Sequence, residues 1–127
     1  MSAAGAKGKP VEQNAHPAIR TKIYVRDDMI GGGKMELLRF VHMHGSIGAA
    51  GLAMGMNDRR AGFLLDTLQA CFSSPLLAQK TEASAGADVE LTPFGLDLLN
   101  RFEAHQQALA DVSADFLGWL EENQATE

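Results

Sequence analysis

The stretch Gly45–Leu68, GSIGAAGLAMGMNDRRAGFLLDTL, decides how this chain folds. Ser46 suits a helix N-cap, because its hydroxyl can accept one of the backbone N–H groups that the first turn leaves unpaired. Gly48, Ala49, Ala50, Gly51 and Ala53 follow, and such small side chains let a second helix cross close by, at a cost in propensity for each glycine. Gly55 can take the left-handed conformation that ends a helix, and Asn57 is a second good N-cap. A further helix is therefore predicted from Asp58, with Ala61, Leu64, Leu68 and Phe72 on one apolar face at spacings of three and four. Asn57, Arg59 and Arg60 are left at its exposed front.

Helix, glycine turn and arginine-bearing helix, in that order, have the punctuation of a helix-turn-helix. In that geometry the N-terminal residues of the second helix enter the major groove, where an arginine can bond guanine O6 and N7 together. Two arginines beside Asp58 also describe an ordinary solvated helix start, so what surrounds them carries the argument. Pro75–Lys80 (PLLAQK) and Asp88–Leu91 (DVEL) read as strands, and TEASAGA between them as a hairpin tip. Thr92 and Pro93 then make a strong helix start, threonine as cap and proline at the first helical position. The expected class is mainly α with a small β-hairpin: a winged helix-turn-helix followed by a long C-terminal helix.

Four segments, GGGKMELLRFVHMHGSI, GMNDRRAGFLLDTL, PLLAQK and ELTPFG, occur in an order and spacing that resembles the DNA-binding half of the bacterial molybdate-responsive regulators, the ModE type. The resemblance runs from about Ile19 to Leu109. It implies a recognition helix over Asn57–Phe63, a wing over Thr81–Asp88, and dimer-forming helices partly in the segment after Thr92. The DNA-contacting set so implied is Ser46, Asn57, Asp58, Arg59, Arg60, Phe63 and Lys80, with Thr81 and Ser84 from the wing. Departures are visible. Wings of the family are usually basic, whereas this one holds Glu82 and Asp88 and no lysine or arginine. Asp58 stands where the family often has an aromatic, and Gly62 and Phe63 replace a bulky pair. Full-length members also carry C-terminal oxyanion-binding domains, so a chain ending at Glu127 is expected to hold no molybdate pocket and no other cofactor.

The 127 residues, 46% of them hydrophobic, fit one small domain, expected over residues 18–92 with the dimerisation helix over 93–127. Residues 1–17 are small, polar and proline-punctuated, which predicts a disordered tail, and they contain no apolar run that would make a signal peptide. No stretch approaches eighteen consecutive apolar residues. The single cysteine, Cys71, has no partner for an internal disulfide, and a reducing cytoplasm is the expected home. A net charge of −5 argues at first against DNA, since phosphate neutralisation supplies much of non-specific affinity. The excess acid is concentrated, however: residues 81–127 hold ten carboxylates and one base, while residues 1–80 are mildly basic.

The C-terminal segment has a message of its own. Leu98, Phe102, His105, Leu109, Val112, Phe116 and Trp119 alternate spacings of four and three, which is a heptad seam. A helix of about 28 residues is about 42 Å long and outruns a small domain. A homodimer interface is expected along this seam, with His105 as its polar position; the alternative is a long helix laid across its own domain.

Remaining motifs point away from chemistry. Arg20–Arg26 (RTKIYVR) reads as a strand, expected to join the wing hairpin as a third member. DDMIGGGK places glycines before Lys34, but a phosphate-binding loop needs glycine at Asp28 and serine or threonine at Met35. The glycines are expected to form a turn into a helix starting at Lys34, whose Leu37, Leu38 and Val41 face the core. His42 and His44, two apart on a helix, point about 200° from one another and do not share a metal ion unaided. Cys71 lies with Leu64 and Leu68 and reads as a small core residue. No nucleophile elbow or catalytic carboxylate pair is present, so no enzyme and no metal site are expected. The expectation is a homodimeric DNA-binding transcription regulator on a two-fold-symmetric operator. The alternative is a module of the same fold that binds protein.

Overall fold

Met35, Leu37, Leu38 and Val41 recur with helical spacing, and a helix that turns them inward anchors everything else. The computed structural model describes residues 16–80 and 88–125. Its elements run β1 (Lys22–Val25), β2 (Asp28–Gly31), α1 (Gly32–His44), α2 (Ile47–Ala53), α3 (Asp58–Gln69), β3 (Leu77–Gln79), β4 (Val89–Leu91) and α4 (Pro93–Asn123). The architecture is mainly helical with small antiparallel hairpins, β1 on β2 and β3 on β4. Residues 1–15 of the expected tail, and Thr81 and Ser84 of the expected wing, lie outside the described residues. No described helix is long and apolar enough to cross a membrane.

The chain divides into two units, Thr21–His105 and Met1–Arg20 with Gln106–Glu127. In the first, α1 supplies the fully buried Met35, Leu37, Leu38 and Val41, against which Ala50, Ala61, Leu65, Leu68, Leu76, Leu91 and Leu99 pack. Cys71 belongs to this core, as its sequence neighbours imply, and burial raises its thiol pKa above the ordinary value. The start of α4 is clamped to Pro75 and Leu76, just before β3. Thr92 caps the helix by accepting from the Gly95 N–H at 3.0 Å, while its own hydroxyl donates to the Pro75 carbonyl at 2.7 Å. Gly95 is buried against the backbone of Leu76 so closely that a Cβ there would overlap the Leu76 carbonyl.

In the second unit, Phe116 and Trp119 lie one turn apart on α4 with stacked rings, centroids 6.4 Å apart. His16 Nδ1 meets Glu121 Oε2 at 2.8 Å. A cavity of about 350 Å³ is lined by His16, Pro17, Trp119, Leu120, Asn123 and Gln124.

Three expectations are corrected. The strand around Ile23–Val25 does not join the β3–β4 hairpin. It pairs with β2, in register Val25↔Asp28 and Lys22↔Gly31, through the two-residue loop Arg26–Asp27. Arg26 turns that corner with φ +58°, an uncommon conformation outside glycine. The segment read as a glycine turn is thus half strand, and α1 begins at Gly32 rather than Lys34. Lys34 is spent locally, donating to the Met29 carbonyl at 3.0 Å and lying 3.5 Å from Asp28. On α3 the deep positions are Ala61, Leu65 and Leu68, while Leu64 sits at the edge and Phe72 lies beyond the helix end at Gln69, so the buried stripe is rotated slightly from the predicted one.

Candidate nucleic-acid interface

The local chemistry of residues 45–60 builds the site from two caps and two glycine turns. Gly45 closes α1 in the left-handed region at φ +82°, and its carbonyl accepts from Val89 N at 2.9 Å. Ser46 is then extended, and its hydroxyl accepts the Ala49 N–H at 3.0 Å, as expected of an N-cap. The same extended backbone forms a bridge to Asp88, so the residue that starts α2 also docks beside the β3–β4 hairpin. Gly55, at φ +76°, turns the chain between α2 and α3. Asn57 caps α3, its Oδ1 accepting the Arg60 N–H at 2.9 Å.

Small residues do between the two helices what their volume allows. Gly51 and Ala50 are buried, and a Cβ added to Gly51 would stand 2.9 Å from the Ala61 Cβ and 3.3 Å from the Met56 carbonyl. This closeness fixes how α3 crosses α2. At the other end of the crossing, Asp58 lies so near α2 that a Cβ on Gly48 would be 3.2 Å from its Oδ1. A carboxylate there also favours the N-terminus of α3 through the helix dipole.

Of the residues singled out from sequence, Ser46, Asn57 and Asp58 are thus engaged in capping and packing, while Arg59, Arg60 and Phe63 stand exposed. Arg59 and Phe63, four apart, share one face of α3, and Phe63 is 60% exposed. Lys80, exposed at the end of β3, reaches back toward the other end of the motif: its Nζ would lie 3.6 Å from a Cβ on Gly45. Lys80, Ser46, Gly48 and Asp58 therefore follow one another around the first turns of α2 and α3. Arg59, Arg60 and Lys80 make no ion pair among the described residues, which leaves three cationic groups presented to solvent.

Sequence reasoning missed two features. Leu52, on α2, is an exposed large apolar side chain, and an apolar residue breaking a run of small ones was the available signal. Gly45 is the other, since a glycine directly before an N-cap serine marks one helix ending where the next begins. His42 and His44 are exposed on α1.

Along α4 the expected seam divides. Leu98 and Phe102 are half-buried and pack on the core. His105 is exposed and Leu109 half-buried, whereas Val112, Phe116 and Trp119 are 79%, 62% and 58% exposed. Compared with known proteins, the chain matches no protein-family model and no curated sequence.

Proposed function

We propose that this chain is a winged helix-turn-helix transcription regulator that binds a two-fold-symmetric DNA operator as a homodimer, in the manner that its resemblance to ModE-type DNA-binding domains implies. The observation that carries this reading is the α2–Gly55–α3 unit. Both helices are capped by the side chains suited to it, they cross at glycine distance, and the packing leaves Arg59 and Arg60 solvent-facing at the N-terminal turn of α3. An arginine so placed can reach guanine O6 and N7 in the major groove. Phe63, on the face of Arg59, offers an apolar surface for a thymine methyl. Lys80 is suited to phosphate.

Selection of bound duplexes from a random pool at near-physiological salt tests the reading, with wild type run beside Arg60→Ala. An inverted repeat enriched by wild type and lost by the mutant supports it. Affinity for that repeat should fall steeply as salt rises, because each phosphate contact releases condensed cations. No enrichment by either protein refutes it.

A second reading, a module of this fold that binds protein, is favoured by one observation. Phe63 and Leu52 are large apolar groups exposed within the motif itself. A duplex titration with no binding at low salt would select it.

A further inference from the structure

The exposed half of the α4 seam calls for an occupant, and its charges say which one and in which direction. We propose that α4 pairs with α4 of a second copy in antiparallel orientation, with Leu109 opposite the partner's Val112 and Arg101 opposite the partner's Glu122. The inference rests on the dimeric reading above and adds its geometry.

In heptad terms Phe102, Leu109 and Phe116 occupy one seam position, and Leu98, His105, Val112 and Trp119 the other. The row flanking the first position is Arg101, Ala108, Asp115 and Glu122; the row flanking the second is Leu99, Gln106, Ser113 and Leu120. Flanking charges choose orientation in helix pairs because they meet across the seam. The other described carboxylates of α4, Asp97, Glu103, Asp111 and Glu121, lie off both rows, so the acidity of the helix does not oppose pairing at the seam itself. Arg101 is the only lysine or arginine of α4. Its Nε is held by Asp97 at 3.0 Å, which leaves its two terminal amino groups to donate elsewhere.

A parallel pair sets each flanking row against the other kind, Arg101 beside the partner's Gln106 and Asp115 beside the partner's Leu120. No ion pair forms, and His105 meets its own copy. An antiparallel pair sets like rows together. With Leu109 against the partner's Val112, Phe102 meets the partner's Trp119 and His105 the partner's Phe116. Arg101 then faces the partner's Glu122 twice by symmetry, and Ala108 faces the partner's Asp115. Neighbouring registers fail. Sliding one heptad toward the C-terminus sets Asp115 against the partner's Asp115, two like charges face to face. Sliding one heptad back still pairs Arg101, now with the partner's Asp115, but sets the exposed Trp119 against the partner's buried Gly95. Of the three, the central register alone sets Val112, Phe116 and Trp119 against large side chains and pairs Arg101 without opposing like charges.

Sedimentation equilibrium on the full chain tests this through a charge swap. Arg101→Glu and Glu122→Arg should each raise the dimer dissociation constant about ten-fold, since two symmetric pairs become repulsive, and the double variant should return to within about two-fold of wild type. Residues 101 and 122 are too far apart on one helix to meet within a chain, so rescue can only act between chains. Single effects that simply add in the double variant overturn the antiparallel register while leaving the dimer intact. A wild type that stays monomeric at tens of micromolar overturns the dimer as well. Neither outcome bears on duplex selection by Arg60, which is measured separately.

Discussion

Substituting alanine for Gly51 sets two known effects against each other, and the structure decides the sign. Glycine inside a helix costs about 1 kcal/mol relative to alanine, so propensity alone predicts that Gly51→Ala stabilises the protein. The packing opposes it. The new Cβ would stand 2.9 Å from the Ala61 Cβ and 3.3 Å from the Met56 carbonyl oxygen. Carbon atoms pack best at roughly 3.5–4.0 Å, so α2 and α3 must part by more than half an ångström, and neither neighbour is the free end of a flexible side chain. Overpacking of this kind costs about 1–3 kcal/mol, which against a propensity gain of about 1 kcal/mol leaves a net loss of up to about 2 kcal/mol. Gly62, on α3, is the control: a Cβ there meets nothing within 4 Å, and Gly62→Ala should gain about 0.5–1 kcal/mol. The same chemical change at two glycines of one motif should therefore separate the urea midpoints by about 1 M, given a slope of about 1–3 kcal/mol per molar. Ala61→Gly, destabilising alone, should relieve Gly51→Ala in the double variant, with a coupling of about 1 kcal/mol. A Gly51→Ala protein as stable as Gly62→Ala, or a double variant that is merely additive, would refute the close crossing on which the candidate interface depends.

Other outcomes follow from single contacts. Gly95→Ala forces a Cβ onto the Leu76 carbonyl, where backbone meets backbone, and should cost about 3 kcal/mol or more by urea unfolding. Asn57→Ala removes the α3 cap and should cost about 1 kcal/mol, seen in the same titration. Cys71 gives a pH effect. Its folded pKa is raised above the ordinary thiol value of 9.0 chiefly by burial, so the stability it contributes is complete below about pH 9 and is lost as pH rises through the folded value. Unfolding measured from pH 8 to 11 should show this loss in wild type and a shallower alkaline decline in Cys71→Ala.

Where the sequence was legible, a single residue had a single physical use. Ser46, Asn57 and Thr92 were legible as caps because their short side chains reach backbone N–H groups only from the start of a helix. Gly55 was legible because few other residues tolerate its turn. The β1–β2 hairpin was not. Its corner is Arg26–Asp27, without the glycine or asparagine that announces such turns, and three glycines just beyond attracted the turn assignment instead. The bridge from Ser46 to Asp88 was hidden for a different reason, since one extended residue leaves no alternating pattern to detect.

The α4 seam shows the limit of periodicity as evidence for a site. From Leu98 to Trp119 the spacing is uniform, yet Leu98 and Phe102 pack on the core of their own unit while Val112, Phe116 and Trp119 are exposed. An apolar stripe reports only that one side of a helix avoids water. Whether a given residue is covered from within the chain depends on long-range packing that a repeat of seven does not encode. Charge carries the missing information. Apolar positions in a heptad are nearly interchangeable between parallel and antiparallel pairs, but a lone Arg101 in a flanking row that otherwise holds Ala108, Asp115 and Glu122 is not. The lone base of that row, rather than the apolar repeat, is therefore what would separate an antiparallel pair from a parallel one.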